Sequence, residues 1–221
     1  ELLSHFGAVP VRKYAPPEGA GRGEGGPKTT LGYSFDPNDV LKDVPVVALA
    51  DGEVLHCEGA ALQVLFTPGH ANDHVSLLLE QERGLFTGDN VLGWGTGTFQ
   101  DLQMYMRSLR KMRDVEPHLL YPAHGPVVEH GRAGPWMQMY ISHREERIEQ
   151  VTRALSTAPA GGLTLEGVAR TVYGDQPRVL GNPVLFAGAC NNSRLVLDYL
   201  GREGRCGQEE SGRYFLRQSK L

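Results

Sequence analysis

The sequence predicts an α/β protein in two parts, a mixed sheet-and-helix domain over residues 1–156 and a small helical-and-hairpin domain over 157–221. Three observations predict it. Between Val44 and Thr87, short aliphatic runs ("VPVVALA", "EVLHC", "ALQVLFT", "HVSLLLE", "GLFT") alternate with Asp-Gly, Glu-Gly and Glu-Arg-Gly turns, the pattern of strands in a meander. "DLQMYMRSLRKMR" then puts Leu102, Tyr105, Leu109 and Met112 on one face of a helix. Beyond Trp136 the strand pattern stops and helix signals follow one another, closing on a hairpin-like segment.

In chain order, "ELLSHFGAVPVRKY" (1–14) reads as a helix end stopped at Gly7 and running into a strand. Chains seldom start this way, so the sequence is expected to be the later part of a longer protein. Residues 15–32 are dense in Gly, Pro and charge and read as a flexible surface loop. They lack the GK[ST] ending of a phosphate loop. After the meander, Asp101 stands near the start of the amphipathic helix and basic residues toward its end, which suits the helix dipole. "HLLYPAHG" returns as a short strand. "WMQMYISHREERIEQVTRALS" is a long charged helix, "LTLEGVARTVYG" a short one stopped by Gly174, and "PVLFAGACNNSRLVLDYLGREG" a third with Pro183 in its first turn. "GRCGQEESGRYFLRQ" gives two strands around a turn, and the joint between the two parts lies near "TAPAGG" (157–162).

Composition narrows the function. Twenty-two basic against 26 acidic residues, a net charge of -4, argue against a surface built chiefly to grip polyanions. Cys57, Cys190 and Cys206 are widely spaced, without the pairing of a structural zinc site, and read as ordinary thiols of a reducing compartment. No stretch approaches the ~20 apolar residues of a membrane helix. A soluble, intracellular protein is expected.

Three loops carry the chemistry. "TPGHANDH" (67–74), "FTGDN" (86–90) and "YPAHGPVV" (121–128) place His70, Asp89 and His124 just past strand ends, which is how an α/β enzyme collects a site along one edge. Imidazole and carboxylate suit zinc, manganese or iron, and a carboxylate can bridge two ions where an imidazole serves one. Asp89 is therefore the natural bridge. His74 falls where the next strand begins and reads as packing.

These three motifs, with the "YISHREERIEQV" helix, resemble the metallo-β-lactamase superfamily, most closely its lactamase-β-2-like branch, over nearly the whole chain. The resemblance implies an αββα sandwich, N-terminally truncated here, followed by a small winged-helix-like domain. It implies two metals per complete site, zinc with manganese or iron as alternatives, that activate water for hydrolysis. His70 would be a ligand to the first metal, Asp89 the bridge and catalytic centre, and His124 a ligand to the second. The branch includes endoribonucleases acting on single-stranded RNA, some mitochondrial, so the mitochondrial matrix or cytoplasm is the expected compartment.

One departure is decisive: the family's earlier motif, Thr-His-x-His-x-Asp-His, is missing, and no two of the eight histidines are separated by one residue. The chain alone is therefore expected to be catalytically incomplete. Beside the RNA reading stand a small thioester or lactone hydrolase of glyoxalase-II type and a non-catalytic short form that binds a partner or RNA. His143 and Arg144 of the "YISHR" helix and Trp94 of "GWGTGTFQD" are candidate substrate-binding residues, each weighed against a packing role. From Thr157 onward eight basic and six acidic residues give thin cover for phosphates, so duplex DNA is not expected as a partner.

Overall fold

The computed structural model describes residues 11–14 and 46–217. The helix end expected before residue 11 and the glycine-rich segment 15–32 fall outside these residues, while the strand expected at the end of "ELLSHFGAVPVRKY" is formed by Val11–Tyr14.

The meander forms where the alternation requires it. Strands β3 (Val54–Cys57), β4 (Ala60–Phe66), β5 (Val75–Leu79) and β6 (Gly84–Gly88) pair antiparallel in succession. β7 (Leu119–Pro122) then joins β6 in parallel, giving a five-stranded sheet in the order β3-β4-β5-β6-β7. The parallel step needs a crossover. It is supplied by α1 (Leu102–Asp114), whose Leu102, Tyr105, Leu109 and Met112 are all buried, while Asp101 caps it by accepting the Met104 N–H at 2.9 Å.

One strand leaves the expected meander. β2 (Val46–Leu49) pairs in parallel with β1 (Val11–Tyr14) in a separate two-stranded sheet, so "VPVVALA" is not a neighbour of β3. Alternation marks a residue as strand without naming its partner, and β2 takes one from far earlier in the chain.

α2 (Ala133–Ser156) packs on α1 and also on α3 (Leu165–Val172) and α5 (Pro183–Arg202), with a short α4 (Pro177–Leu180) between the last two. The hairpin β8 (Cys206–Gln208) and β9 (Tyr214–Leu216) closes the chain, and Leu163 bridges to Tyr214. A single apolar core runs from Leu78 and Leu85 in the sheet through Tyr140, Ile141 and Val151 of α2 to Val168, Val196 and Leu200. This one core spans residue 157, where the sequence places a joint, and α2 carries it across. Among the described residues no helix is long and apolar enough to cross a membrane.

Candidate metal centre

Strand directions bring the three loops together. β4 and β6 both run opposite to β5, and β7 runs with β6, so the C-terminal ends of β4, β6 and β7 share one edge. His70 follows β4, Asp89 follows β6 and His124 follows β7. Their side chains meet there: His70 Nε2 lies 3.5 Å from Asp89 Oδ2, and His124 Nε2 lies 3.3 Å from Asp89 Oδ1.

Those separations fit a metal better than a proton. A charge-assisted N–H···O⁻ bond runs at about 2.7–2.9 Å. Two donors bonded tetrahedrally to one zinc at ordinary Zn–N and Zn–O lengths stand about 3.4 Å apart. Two further observations agree. The His70 Nδ1 lies 3.0 Å from the Thr98 carbonyl, and the carbonyl can only accept, so Nδ1 is the donor there and Nε2 is the nitrogen turned to the carboxylate. Asp89 Oδ1 is buried with no hydrogen-bond partner among the described residues. With one imidazole nitrogen turned to each Asp89 oxygen and no hydrogen bond to Oδ1, the arrangement could accept a cation on each side. The set is nevertheless short: among the described residues no three His, Cys, Asp or Glu side chains gather around a single point. Each ion would take one imidazole and one carboxylate oxygen from this chain.

The loops are held by neighbours that sequence reasoning passed over. Asn90, fully buried, donates from Nδ2 to the Thr67 carbonyl at 2.6 Å and accepts the His70 N–H on Oδ1 at 3.2 Å, which ties the His70 loop to the Asp89 loop. It follows Asp89 directly, and a polar residue closing an apolar strand was its only signal. The Tyr105 hydroxyl donates to the Asn90 carbonyl at 2.6 Å, and burial pushes its pKa far above the usual range, keeping it a donor. His74 lies below the site: Nδ1 is 3.0 Å from Thr67 Oγ1 and 3.1 Å from Asn90 Nδ2, and burial, then the neighbouring His70, lowers its pKa. Gly88 makes room for this ring, since a Cβ there would stand 2.5 Å from His74 Nε2.

Glycine also joins the second and third loops. Gly93 donates its N–H to the His124 carbonyl at 2.8 Å, and a Cβ on Gly93 would lie 2.1 Å from the Pro126 carbonyl oxygen. Only a residue without a side chain lets these backbones touch.

α2 grips the Asp89 loop from outside. Trp136 Nε1 donates to the Leu92 carbonyl at 2.9 Å, the Tyr140 hydroxyl accepts the Leu92 N–H at 2.9 Å, and Arg144 Nη2 donates to the Gly97 carbonyl at 2.8 Å. Residues 136, 140 and 144 are spaced by four, so one helix face meets one loop. The Arg144 guanidinium also lies over the Phe99 ring, 4.8 Å from its centroid, and Phe99 stacks on Tyr105. Of the three candidate substrate-binding residues, Arg144 is therefore buried in contacts with the loop. His143 is half-buried beside it, and Trp94 is 62 % exposed at the rim.

Comparison with known proteins identifies the family. The family profile described as Metallo-beta-lactamase superfamily matches residues 1–124. A lactamase-like protein from Aspergillus niger is 44% identical over 152 residues, covering 62% of this chain and 47% of its own length. A beta-lactamase-like protein 2 homolog from Caenorhabditis elegans is 38% identical over 154 residues, covering 70% of this chain and 49% of its own length. The chain thus spans about half the length of the curated relatives it matches. Among solved structures, a metallo-beta-lactamase family protein from Thermus thermophilus superposes with a TM-score of 0.60 at 25% identity, covering 83% of this chain and 60% of that one. A beta-lactamase domain protein from Burkholderia ambifaria reaches a TM-score of 0.67 at 20% identity, covering 81% and 56%, which speaks for the fold. With strand-end ligand loops and a family profile over more than half its length, the chain belongs to the metallo-beta-lactamase superfamily.

Proposed function

We propose that this chain is part of a metal-dependent hydrolase of single-stranded RNA, in which His70 and Asp89 hold one ion and Asp89 and His124 the other. The observation that carries the reading is the placement of one Asp89 oxygen against each imidazole. Zinc suits this donor set, with manganese and iron compatible. Bound there, the metals would lower the pKa of a water and polarise the substrate oxygen. The chain's own residues do the positioning. Thr98 fixes the proton on His70, Asn90 spans two of the ligand loops, and Gly93 seats the third.

RNA is favoured over a small thioester by the rim. Trp94 offers an exposed aromatic face beside the ligand loops, on which a base can stack, and His143 stands on the helix that grips the same loop. The C-terminal unit, read as winged-helix-like, serves to shape the substrate side rather than to enter a duplex. Two donors per ion fall short of the three that a catalytic zinc ordinarily takes, so turnover is assigned to a longer protein that carries further ligands.

The test is a turnover screen of the protein extended to the length of its relatives, against single-stranded RNA and S-acyl-glutathione. RNA cleavage abolished by Asp89→Ala is expected. Turnover of the thioester alone would make it a glyoxalase-like hydrolase, and binding of RNA with metal but no turnover of either would make it a non-catalytic binder.

A further inference from the structure

A second group of polar side chains lies on α2, with His143 beside Arg144 and Arg147 about one turn further on. Trp136, Tyr140, His143 and Arg147 follow at spacings of four, three and four, so His143 and Arg147 share the face of α2 that Trp136 turns to the loop. Arg147 is half-buried, with its guanidinium over the Tyr173 ring at 4.3 Å from the centroid. Its Nε and Nη1 are buried and have no acceptor among the described residues, and His143 Nδ1 is buried with no hydrogen-bond partner among them. A buried N–H without a partner costs about 1–3 kcal/mol, more on a charged group, and native structures seldom leave one so.

The charge is uncompensated as well. Neither Arg144 nor Arg147 forms an ion pair with a carboxylate among the described residues, and both are partly or fully withdrawn from water. Two guanidiniums three residues apart, both partly withdrawn from water, therefore face the same side of the molecule without an anion. The field is felt locally: burial, then the Arg144 and Arg147 charges, lower the pKa of His143. Tyr173 is itself fixed, its hydroxyl accepting from Asn192 Nδ2 at 3.1 Å, so the stacked guanidinium is held with its donors in one plane.

We propose that Arg147, with His143 and the Tyr173 ring, forms a subsite for one phosphate group of the substrate, on the α2 side of the metal edge and separate from the reacting bond. The proposal rests on the RNA reading for the source of the phosphate, a backbone phosphodiester, but its chemistry requires only an oxyanion. Arg144 is already engaged by Gly97 and stacked on Phe99, so Arg147 supplies the free donors. A phosphate reaching the half-exposed Arg147 would accept from its guanidinium, and Tyr173 keeps the fork oriented.

The experiment measures binding of oligouridylate and of inorganic phosphate to the 221-residue chain at several salt concentrations, for the unsubstituted protein, Arg147→Met and Arg153→Met. Arg153→Met removes the same charge from an exposed site on the same helix. Arg147→Met is expected to weaken oligouridylate about tenfold and to flatten the slope of log K against log salt by about 0.7, the share of one phosphate contact on a single strand. Arg153→Met should leave both nearly unchanged. If Arg147→Met proves unstable in thermal melting, Arg147→Lys takes its place, keeping the charge and losing the planar fork. Equal effects of the two arginine sites, or no effect of either, would overturn the subsite while leaving RNA binding standing. Phosphate binding that depends on Arg147 without any oligouridylate binding would keep the subsite and remove RNA as its source. Binding of neither probe would overturn it outright.

Discussion

Arg144 Nη2 donates to the Gly97 carbonyl across 2.8 Å, so a helix that begins after the last ligand loop fixes the shape of the loop that begins at Asp89. Arg144→Ala leaves that carbonyl without its donor at a buried position, a cost of about 1–3 kcal/mol. Denaturant unfolding should show the loss, and hydrogen exchange should quicken at residues 92–98. A uniform gain in exchange over the whole chain would mean that Arg144 supports the core instead.

Gly93→Ala should separate the Asp89 and His124 loops, because the new Cβ would meet the Pro126 carbonyl at 2.1 Å. In the extended protein metal affinity should fall by about tenfold or more, the scale on which groups that orient metal ligands act, with far-UV circular dichroism retained. Gly134→Ala, with nothing within 4 Å of its Cβ and a helical position, is the matched control and should leave affinity unchanged. Equal metal affinity in both variants would dismiss the backbone contact as a determinant of the site.

Asp89→Ala should empty both metal positions, whereas His70→Ala and His124→Ala should each weaken one, since the carboxylate turns one oxygen to each imidazole. Elemental analysis of the extended protein after dialysis decides it. Two metals kept by Asp89→Ala would end the bridge assignment.

The 221-residue chain by itself should retain less than one tightly bound zinc after dialysis, because each ion finds two of the three protein ligands that a catalytic zinc ordinarily takes. Two retained equivalents, lost on Asp89→Ala, would show that ligands within this sequence complete the site.

The Asp101 carboxylate caps α1 and pairs with Arg202 at the end of α5. Burial acts to raise its pKa, but the Met104 N–H and Arg202 outweigh it and the pKa lies below the ordinary 3.8. A folded-state pKa below the unfolded one gives stability that is present above about pH 3.8 and disappears as pH falls through the folded value. Asp101→Asn should lower stability at neutral pH and flatten the acid limb below that point. Parallel acid limbs for the two proteins would assign the acid sensitivity to other carboxylates.

The sequence by itself determined most of the secondary structure and the residue types of the candidate site. Short aliphatic runs between Gly-containing turns marked β3 to β6, the apolar stripe of Leu102, Tyr105, Leu109 and Met112 marked α1, and glycine- and proline-bounded loops marked His70, Asp89 and His124 as candidates, because these are signals written within a few residues of one another. Only the tertiary structure decided which groups meet. β2 pairs with β1 rather than with β3, Asn90 and Thr98 orient His70, Gly93 touches the His124 loop, and Arg144 is spent on Gly97 instead of standing open to substrate. The physical reason is separation along the chain: a hydrogen bond between residues 47 positions apart leaves no periodicity behind it, and a glycine needed for a close approach looks in sequence like any other turn.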